Sequence, residues 1–192
     1  MTGEVQQTSA RNKSWWWLVV LIVTLGLVGT GFAVFAVSNA TAHHRYDELI
    51  SGGEGLVLTI PRFGHDYAVP IVEGTSQTSL REGVGWYDNT AEPGTIGNFV
   101  LAGHRFGWGQ PFADLADLGV GDEIIVSTGT VSYTYTIITG PTQVAHDQVD
   151  VLAPVPGDGD RAPTKALITL TTAGSLLPSP NRMIVIGELS YV

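Results

Sequence analysis

The sequence contains no cysteine and few basic residues. Without cysteine, the chain forms no disulfide bond and no cysteine-based metal site. Lys and Arg number 9 against 18 Asp and Glu, which gives a formal net charge of -9. This balance argues against nucleic acid as the main partner, because phosphate binding needs clustered basic side chains.

Several cofactor and metal motifs are also missing from the sequence. It has no P-loop, no dinucleotide-binding glycine fingerprint and no His-Glu-x-x-His metal pair. It also has no cluster of acidic residues that would indicate a calcium-binding site. We therefore expect no cofactor and no metal site.

Residues 14–42 contain no charged side chain. The apolar part of this stretch, residues 15–37, has the length of about 20 residues that a helix needs to cross a bilayer. Three tryptophans begin it, and Arg11 and Lys13 precede them. Interfacial indole rings and the positive-inside rule predict a single-pass protein of the cell membrane, with a cytoplasmic N-terminus and an extracellular domain. The lipid bilayer is the expected partner of residues 15–37.

A cleaved signal peptide is the alternative for this segment. Ser38–Ala40 and Ala40–Ala42 resemble weak cleavage sites, but a signal peptide has a shorter apolar region of about 7–15 residues. We predict a cytoplasmic tail at 1–13, a transmembrane helix at 14–38, an extracellular spacer at 39–55 and a catalytic domain at 56–192. The pair His43 and His44 in the spacer is interpreted as a solvated juxtamembrane turn rather than a metal site.

Beyond residue 55 the sequence consists of short apolar or β-branched runs separated by Gly, Pro, Asp and Asn. The runs are Leu56–Ile60, Ala68–Val72, Asn98–Ala102, Glu123–Val126, Ser132–Ile138, Ala166–Thr171 and Met183–Leu189. Many short strands with turn signals predict an all-β sandwich or barrel. Only Phe112–Leu118 is predicted as a short helix, and residues 152–164 are predicted as a loop because of their Pro and Gly content.

Three strand ends carry the candidate functional residues. His104 follows the strand Asn98–Ala102 through Gly103 and opens a loop rich in Gly and aromatic residues. Arg182 precedes the final strand, and the turn at residues 171–174 ends the penultimate one. Strand ends place side chains on a rigid rim, where catalytic groups often lie. Spacing alone leaves open whether the three converge, or whether His104 only hydrogen-bonds within a turn. The remaining histidines, His65 and His146, are assigned to a turn and a polar loop.

Seven segments resemble the motifs of the sortase family. Asn98–Arg105 resembles the histidine motif, and Val72–Thr75 and Glu92–Asn98 resemble its lead-in. Gly121–Ile124 with Tyr133–Tyr135 is similar to the paired strands that follow. Ile168–Ala173 resembles the Thr-Leu-x-Thr-Cys motif with alanine in place of cysteine, and Asn181–Val185 resembles the arginine motif. The resemblance covers residues 56–189 and is most like the actinobacterial class E branch.

The resemblance implies a fold and a reaction. The fold is a closed β-barrel of about eight strands with short helices. The enzyme is a cysteine transpeptidase that cuts a Leu-Pro-x-Thr-Gly-type sorting signal after its Thr, with Ala preferred at the second position in class E relatives. His104 takes the role of the cation beside the thiolate and of the general acid, and Arg182 holds the carbonyl oxygen. Thr172 and Gly103 are expected to line the substrate groove. Signal-bearing surface proteins and an amine acceptor such as a peptidoglycan precursor are the implied partners.

Ala173 occupies the position of the nucleophilic cysteine. A methyl group cannot attack a carbonyl, and nearby hydroxyls lose their protons far less readily than a thiol. We therefore expect no transpeptidation by this chain as written. An engineered Cys→Ala variant and a natural pseudosortase that binds signals without cutting them both remain open, as does a purely structural membrane-tethered barrel. A pilin-polymerising sortase is less favoured, because residues 38–55 lack the Asp-Pro-aromatic lid of class C.

Overall fold

The structure, a computed structural model, describes residues 13–53, 55–172 and 181–191. Within these residues one long helix, α1 (Lys13–Ser51), precedes eight strands. The strands are β1 (Leu56–Thr59), β2 (Val69–Glu73), β3 (Val84–Trp86), β4 (Gly97–Gly103), β5 (Glu123–Ser127), β6 (Ser132–Ala145), β7 (Ala166–Thr172) and β8 (Asn181–Tyr191).

The remaining helical segments are short. They are α2 (Ser79–Glu82) and the 3-10 turns Pro61–Phe63, Leu115–Asp117 and Val149–Leu152. Leu115–Asp117 lies inside the helix predicted at Phe112–Leu118, but the helix is much shorter than predicted. The other three were not predicted, because segments of three or four residues carry no helical periodicity.

The strands close into a barrel in the order β1-β2-β3-β4-β7-β8-β6-β5. Neighbouring strands are antiparallel, except that β2 and β3, and β4 and β7, run parallel. The predicted closed all-β barrel of about eight strands is confirmed. β6 pairs with β8 through three shifts in register, and such irregularities bend a long strand so that it can follow a curved sheet.

The core lies inside the barrel, and the neighbouring strands β4 and β7 contribute side chains to it. Every residue of β4 is buried. Phe99 and Leu101 alternate along one face of β4 and join the same core as Ile168 and Leu170 of β7, because successive strand side chains point to opposite faces. These two strands therefore form a buried, fully paired part of the barrel wall, and both end beside the candidate site.

The chain divides into two compact units, residues 1–37 and residues 38–192. In the first unit, the described part of α1 is long and apolar enough to cross a membrane. Its apolar side chains are exposed, as in Trp17 at 75 % and Val28 at 70 %, and a bilayer would cover them. The predicted boundaries of the membrane span and the spacer stay predictions.

The second unit includes the last turns of α1. The helix continues to Ser51, so the segment predicted as a spacer is helical over most of its length. His43 and His44 lie on exposed positions of this helix rather than in a turn. Ala42 and Tyr46 are buried in the barrel core. This part of α1 is therefore a packed element of the barrel domain.

Candidate functional site

The candidate site is built on the parallel pair β4 and β7. Their register aligns Gly103 with Thr172, the last residue of each strand. His104 is the next residue after β4, and residue 173 is the next after β7 in sequence. Parallel strands end at the same edge of a sheet, so the fold brings the histidine motif and the Thr-Leu-Thr-Thr motif to one rim of the barrel. Ala173 itself lies outside the described residues.

His104 is held by the strand before it and the loop after it. The residue is 9 % exposed, and its backbone carbonyl accepts a hydrogen bond of 3.0 Å from the N–H of Phe112. Phe112 is fully buried. Its ring lies so close to Gly103 that a Cβ there would be 2.6 Å from a ring carbon. Gly103, predicted to line the substrate groove, is thus buried and makes room for Phe112.

Thr172 ties β7 to β8. Its side chain is 6 % exposed, and its Oγ1 accepts a hydrogen bond of 3.1 Å from the N–H of Met183. The predicted contact of Thr172 with substrate stays a prediction. Because Met183 directly follows Arg182, this bond fixes the start of β8 at the end of β7.

Arg182 makes two hydrogen bonds through its guanidinium. Nη1 donates to the hydroxyl oxygen of Tyr87 at 3.1 Å, and Nη2 lies 2.9 Å from Nε2 of His146. A guanidinium only donates hydrogen bonds, so Nε2 of His146 is the acceptor in this contact. The guanidinium of Arg182 is therefore oriented by Tyr87, which follows β3, and by His146, which follows β6.

Tyr87 and His146 were not predicted as site residues. His146 was assigned to a polar loop, and it does follow the last residue of β6, Ala145. It reaches Arg182 because β6 pairs with β8, with Val144 aligned to Arg182. No local sequence signal marked this position, because the strand before His146 was predicted to end at Ile138, whereas β6 continues to Ala145.

The site therefore combines a proton-transfer group and a fixed cation at one rim. An imidazole changes its charge near neutral pH and can move a proton. A guanidinium keeps its charge and can hold a carbonyl oxygen or an oxyanion by two parallel hydrogen bonds. This set of groups fits acyl transfer from a peptide carbonyl, provided that a nucleophile is supplied.

Comparisons with known proteins agree with this geometry. The sortase domain model matches residues 58–190. Sortase SrtE1 of Streptomyces coelicolor is 34 % identical over 189 residues, covering 90 % of this chain and 53 % of the relative. The chain thus spans about half the length of that protein.

Solved structures resemble the barrel as well. Sortase E of Streptomyces avermitilis is 39 % identical, with a TM-score of 0.65, over 72 % of this chain and 90 % of that one. Sortase E1 of Streptomyces coelicolor with a tripeptide in the active site is 37 % identical, with a TM-score of 0.63, over 72 % and 90 %. Members of the matched family are cysteine transpeptidases, and the relatives named above are class E enzymes. The domain match over residues 58–190, the similarity to sortase SrtE1 and the closed barrel together show that this chain belongs to the sortase family.

Proposed function

We propose that this chain is the scaffold of a membrane-anchored sortase that recognises a Leu-Pro-x-Thr-Gly or Leu-Ala-x-Thr-Gly signal and lacks its nucleophile. The observation that carries the proposal is the register of β4 and β7, which aligns Gly103 with Thr172. His104 and residue 173 therefore follow neighbouring strand ends, where a histidine and a cysteine can form a catalytic pair. The tripeptide in the active site of sortase E1 supports a peptide as the substrate.

With a cysteine at position 173 the reaction has two acyl-transfer steps. The thiolate attacks the carbonyl carbon of the signal's Thr, and Arg182 stabilises the negative charge on its oxygen. The Thr–Gly amide bond breaks, and His104 gives a proton to the leaving amine. An amine of a cell-wall precursor then attacks the thioester, and the thiolate leaves. His104 accepts the proton that this amine releases.

Alanine at position 173 removes the first of these steps. No thioester forms, so no signal is cut and no protein is transferred. His104, Arg182 and the partners of Arg182 are still present, and we infer that signal binding is kept. This state fits an engineered Cys→Ala variant. The engineered variant is favoured because Ala173 is the only departure from the family's three catalytic positions, and a natural pseudosortase is the second candidate.

The membrane helix sets the cellular place of the reaction. The basic residues Arg11 and Lys13 precede the apolar run, which puts the N-terminus in the cytoplasm and the barrel outside. There the barrel meets exported proteins that carry the signal, and the amine acceptors of the growing wall. Protease protection of the full chain in membrane vesicles tests this orientation.

The decisive test restores the thiol. Ala173→Cys is assayed for thioester formation by mass spectrometry and for transfer to an amine such as triglycine, with Leu-Ala-x-Thr-Gly and Leu-Pro-x-Thr-Gly peptides. We expect both products in Ala173→Cys and neither in the chain as written or in Ala173→Ser. Absence of a thioester with either peptide would contradict the proposed reaction.

A matched pair of arginine variants separates catalysis from binding. In the Ala173→Cys background, Arg182→Ala is expected to lower kcat by about 100-fold or more, as the loss of an oxyanion-stabilising donor does in other enzymes. Arg161→Ala, at an exposed position in the loop before β7, is the control and leaves kcat unchanged. In the chain as written, calorimetry measures signal binding. A pseudosortase predicts binding in the chain as written and no turnover after the thiol is added, whereas a purely structural barrel predicts no binding.

A further inference from the structure

The loop that follows β4 has a strained backbone. We define residues 104–112 as the histidine loop. Four consecutive residues in it have positive φ: Gly107 at 71°, Trp108 at 52°, Gly109 at 79° and Gln110 at 42°. Glycine adopts this region freely, but Trp and Gln are sterically disfavoured there. Such a conformation persists only where the surrounding structure holds it.

Three side chains from outside the loop hold its backbone. The hydroxyl of Tyr46 donates to the carbonyl of Trp108 at 2.9 Å, and Oδ1 of Asn39 accepts from the N–H of Gly109 at 3.2 Å. The hydroxyl of Tyr67 donates to the carbonyl of Pro111 at 2.8 Å. Two of these three side chains belong to α1.

The contact between Tyr46 and the histidine loop is close. Tyr46 is 2 % exposed, and a Cβ at Gly109 would lie 2.6 Å from its hydroxyl oxygen. On the Trp108 ring, the guanidinium carbon of Arg81 lies 4.2 Å from the centroid, within the range of a cation–π contact. Trp108 is therefore fixed both at its backbone carbonyl and at its indole ring.

Strain in the loop is coupled to His104 through the loop's two ends. His104 opens the loop, and Phe112 closes it by donating its N–H to the His104 carbonyl. The Phe112 ring packs on Gly103, the residue before His104. A loop closed in this way cannot change its backbone at residues 107–110 without moving the residues at its base.

We infer that Tyr46 and Asn39 are positioning residues for His104, so that the last turns of α1 form part of the catalytic machinery in addition to any anchoring role. The inference rests on the proposed function, because it concerns the histidine of that reaction. Tyr46 and Asn39 touch no reacting atom. They hold the strained loop, and the loop fixes the imidazole at the distance and angle that proton transfer requires.

The first experiment uses the full chain as written, in phospholipid nanodiscs, and needs no turnover. Histidine labelled with 13C gives ring signals for the five histidines, and His104→Gln assigns one of them. Tyr46→Phe removes only the hydroxyl that binds Trp108, and Tyr191→Phe removes an exposed hydroxyl on β8 as its control. Asn39→Leu removes the acceptor for Gly109, whereas Asn39→Asp keeps an oxygen at that place.

We expect Tyr46→Phe and Asn39→Leu each to move the His104 ring signals and to speed amide exchange of the histidine loop by about tenfold, the effect of losing one net hydrogen bond. Asn39→Asp and Tyr191→Phe leave both observables near those of the parent. Unmoved ring signals in Tyr46→Phe and Asn39→Leu would overturn the inference, whether or not the chain is a sortase.

The second experiment measures turnover in the Ala173→Cys background. A positioning defect lowers kcat while leaving KM within about twofold, because the affected interaction matters in the transition state. We expect kcat to fall about three- to tenfold in Tyr46→Phe and Asn39→Leu, and to recover in Asn39→Asp. If the variants exchange the amides of the histidine loop faster and yet keep the kcat of the Ala173→Cys parent, the positioning role is refuted. No turnover in Ala173→Cys itself would contradict the proposed function, and the ring signals would then decide the inference alone.

Discussion

Removing the side chain of Asn98 is expected to destabilise the barrel strongly. Asn98 lies near the start of β4 and is 2 % exposed. Its Nδ2 donates to the carbonyls of Val151 and Ala153 at 3.2 and 3.0 Å, and its Oδ1 accepts from Oγ1 of Thr169 at 2.8 Å. One amide thus joins β4, β7 and the 3-10 turn that follows β6.

The magnitude follows from these three hydrogen bonds. Each contributes about 0.5–1.5 kcal/mol net, which gives about 1.5–4.5 kcal/mol for the set. Asn98→Ala also leaves the fully buried hydroxyl of Thr169 and the Val151 carbonyl without this partner, and an unsatisfied buried group costs about 1–3 kcal/mol. Because the penalty for the unsatisfied groups overlaps with the loss of the same hydrogen bonds, the two ranges are not added, and we expect a loss of about 3–4 kcal/mol in the free energy of unfolding, in the upper half of the first range. Thr169→Val removes only one of the bonds and is expected to cost about 1–2 kcal/mol.

Pulse proteolysis in urea, on the full chain in detergent micelles, measures this free energy for the barrel. Thr142→Val, which changes an exposed hydroxyl on β6, is the control and stays within about 0.5 kcal/mol of the parent. The double variant of Asn98→Ala with Thr169→Val should cost less than the sum of the single variants, because both remove the same bond. A loss below about 1 kcal/mol for Asn98→Ala would refute the reasoning.

Three further predictions concern the site and its supporting loop. In the Ala173→Cys background, His146→Ala should lower kcat/KM about three- to tenfold, because it removes one of the two hydrogen bonds that orient the Arg182 guanidinium. Partial recovery is expected in His146→Gln, and steady-state kinetics measures both variants. Gly103→Ala should cost about 1–3 kcal/mol through its clash with the Phe112 ring, and urea unfolding of that variant with and without Phe112→Leu should show partial relief. Burial raises the pKa of Tyr67 well above its ordinary value of 10, so the folded state favours the neutral phenol. Its contribution to stability is complete below about pH 10 and is lost as the pH rises through the raised pKa. The free energy of unfolding, measured by urea denaturation between about pH 9 and pH 11.5, should therefore fall less steeply with pH in Tyr67→Phe than in the parent.

The barrel was predictable because its strands carry their own signals. The runs at Leu56–Ile60 and Asn98–Ala102 match β1 and β4 within a residue or two, since buried strands need continuous β-branched and apolar residues. β6 shows where local signals fail. It was predicted to end at Ile138, and it continues to Ala145 through Gly140 and Pro141. The register shift between Thr139 and Thr142 accommodates the proline, which cannot donate to the ladder.

The site was predictable in part for a similar reason. His104 and Arg182 stand at ends of strands whose sequence can be read locally. The contact of Arg182 with His146 depends on the pairing of β6 with β8, and no local pattern encodes that pairing. The hydrogen bond from Tyr46 to Trp108 in the histidine loop joins residues that lie 62 positions apart in the sequence. The apolar pattern of α1 shows only that the helix is long. Contacts of this kind arise from tertiary packing and need the fold to be known first.

Under the proposed function a change at position 173 alters the chemistry, and the ladder between β4 and β7 indicates that the same change spares the scaffold. The described pairing of the two strands ends with Gly103 and Thr172, and Thr172 binds the backbone of β8 through its own hydroxyl. Residue 173 follows the last pair, so its side chain is not needed to complete that ladder. Arg182 receives its two contacts from Tyr87 and His146, on other strand ends.

We therefore expect Ala173→Cys to leave the free energy of unfolding within about 0.5 kcal/mol of the chain as written. Under the proposed function the same substitution changes the rate of signal cleavage from zero to measurable. A large change in stability with this substitution would show that the nucleophile position also supports the fold.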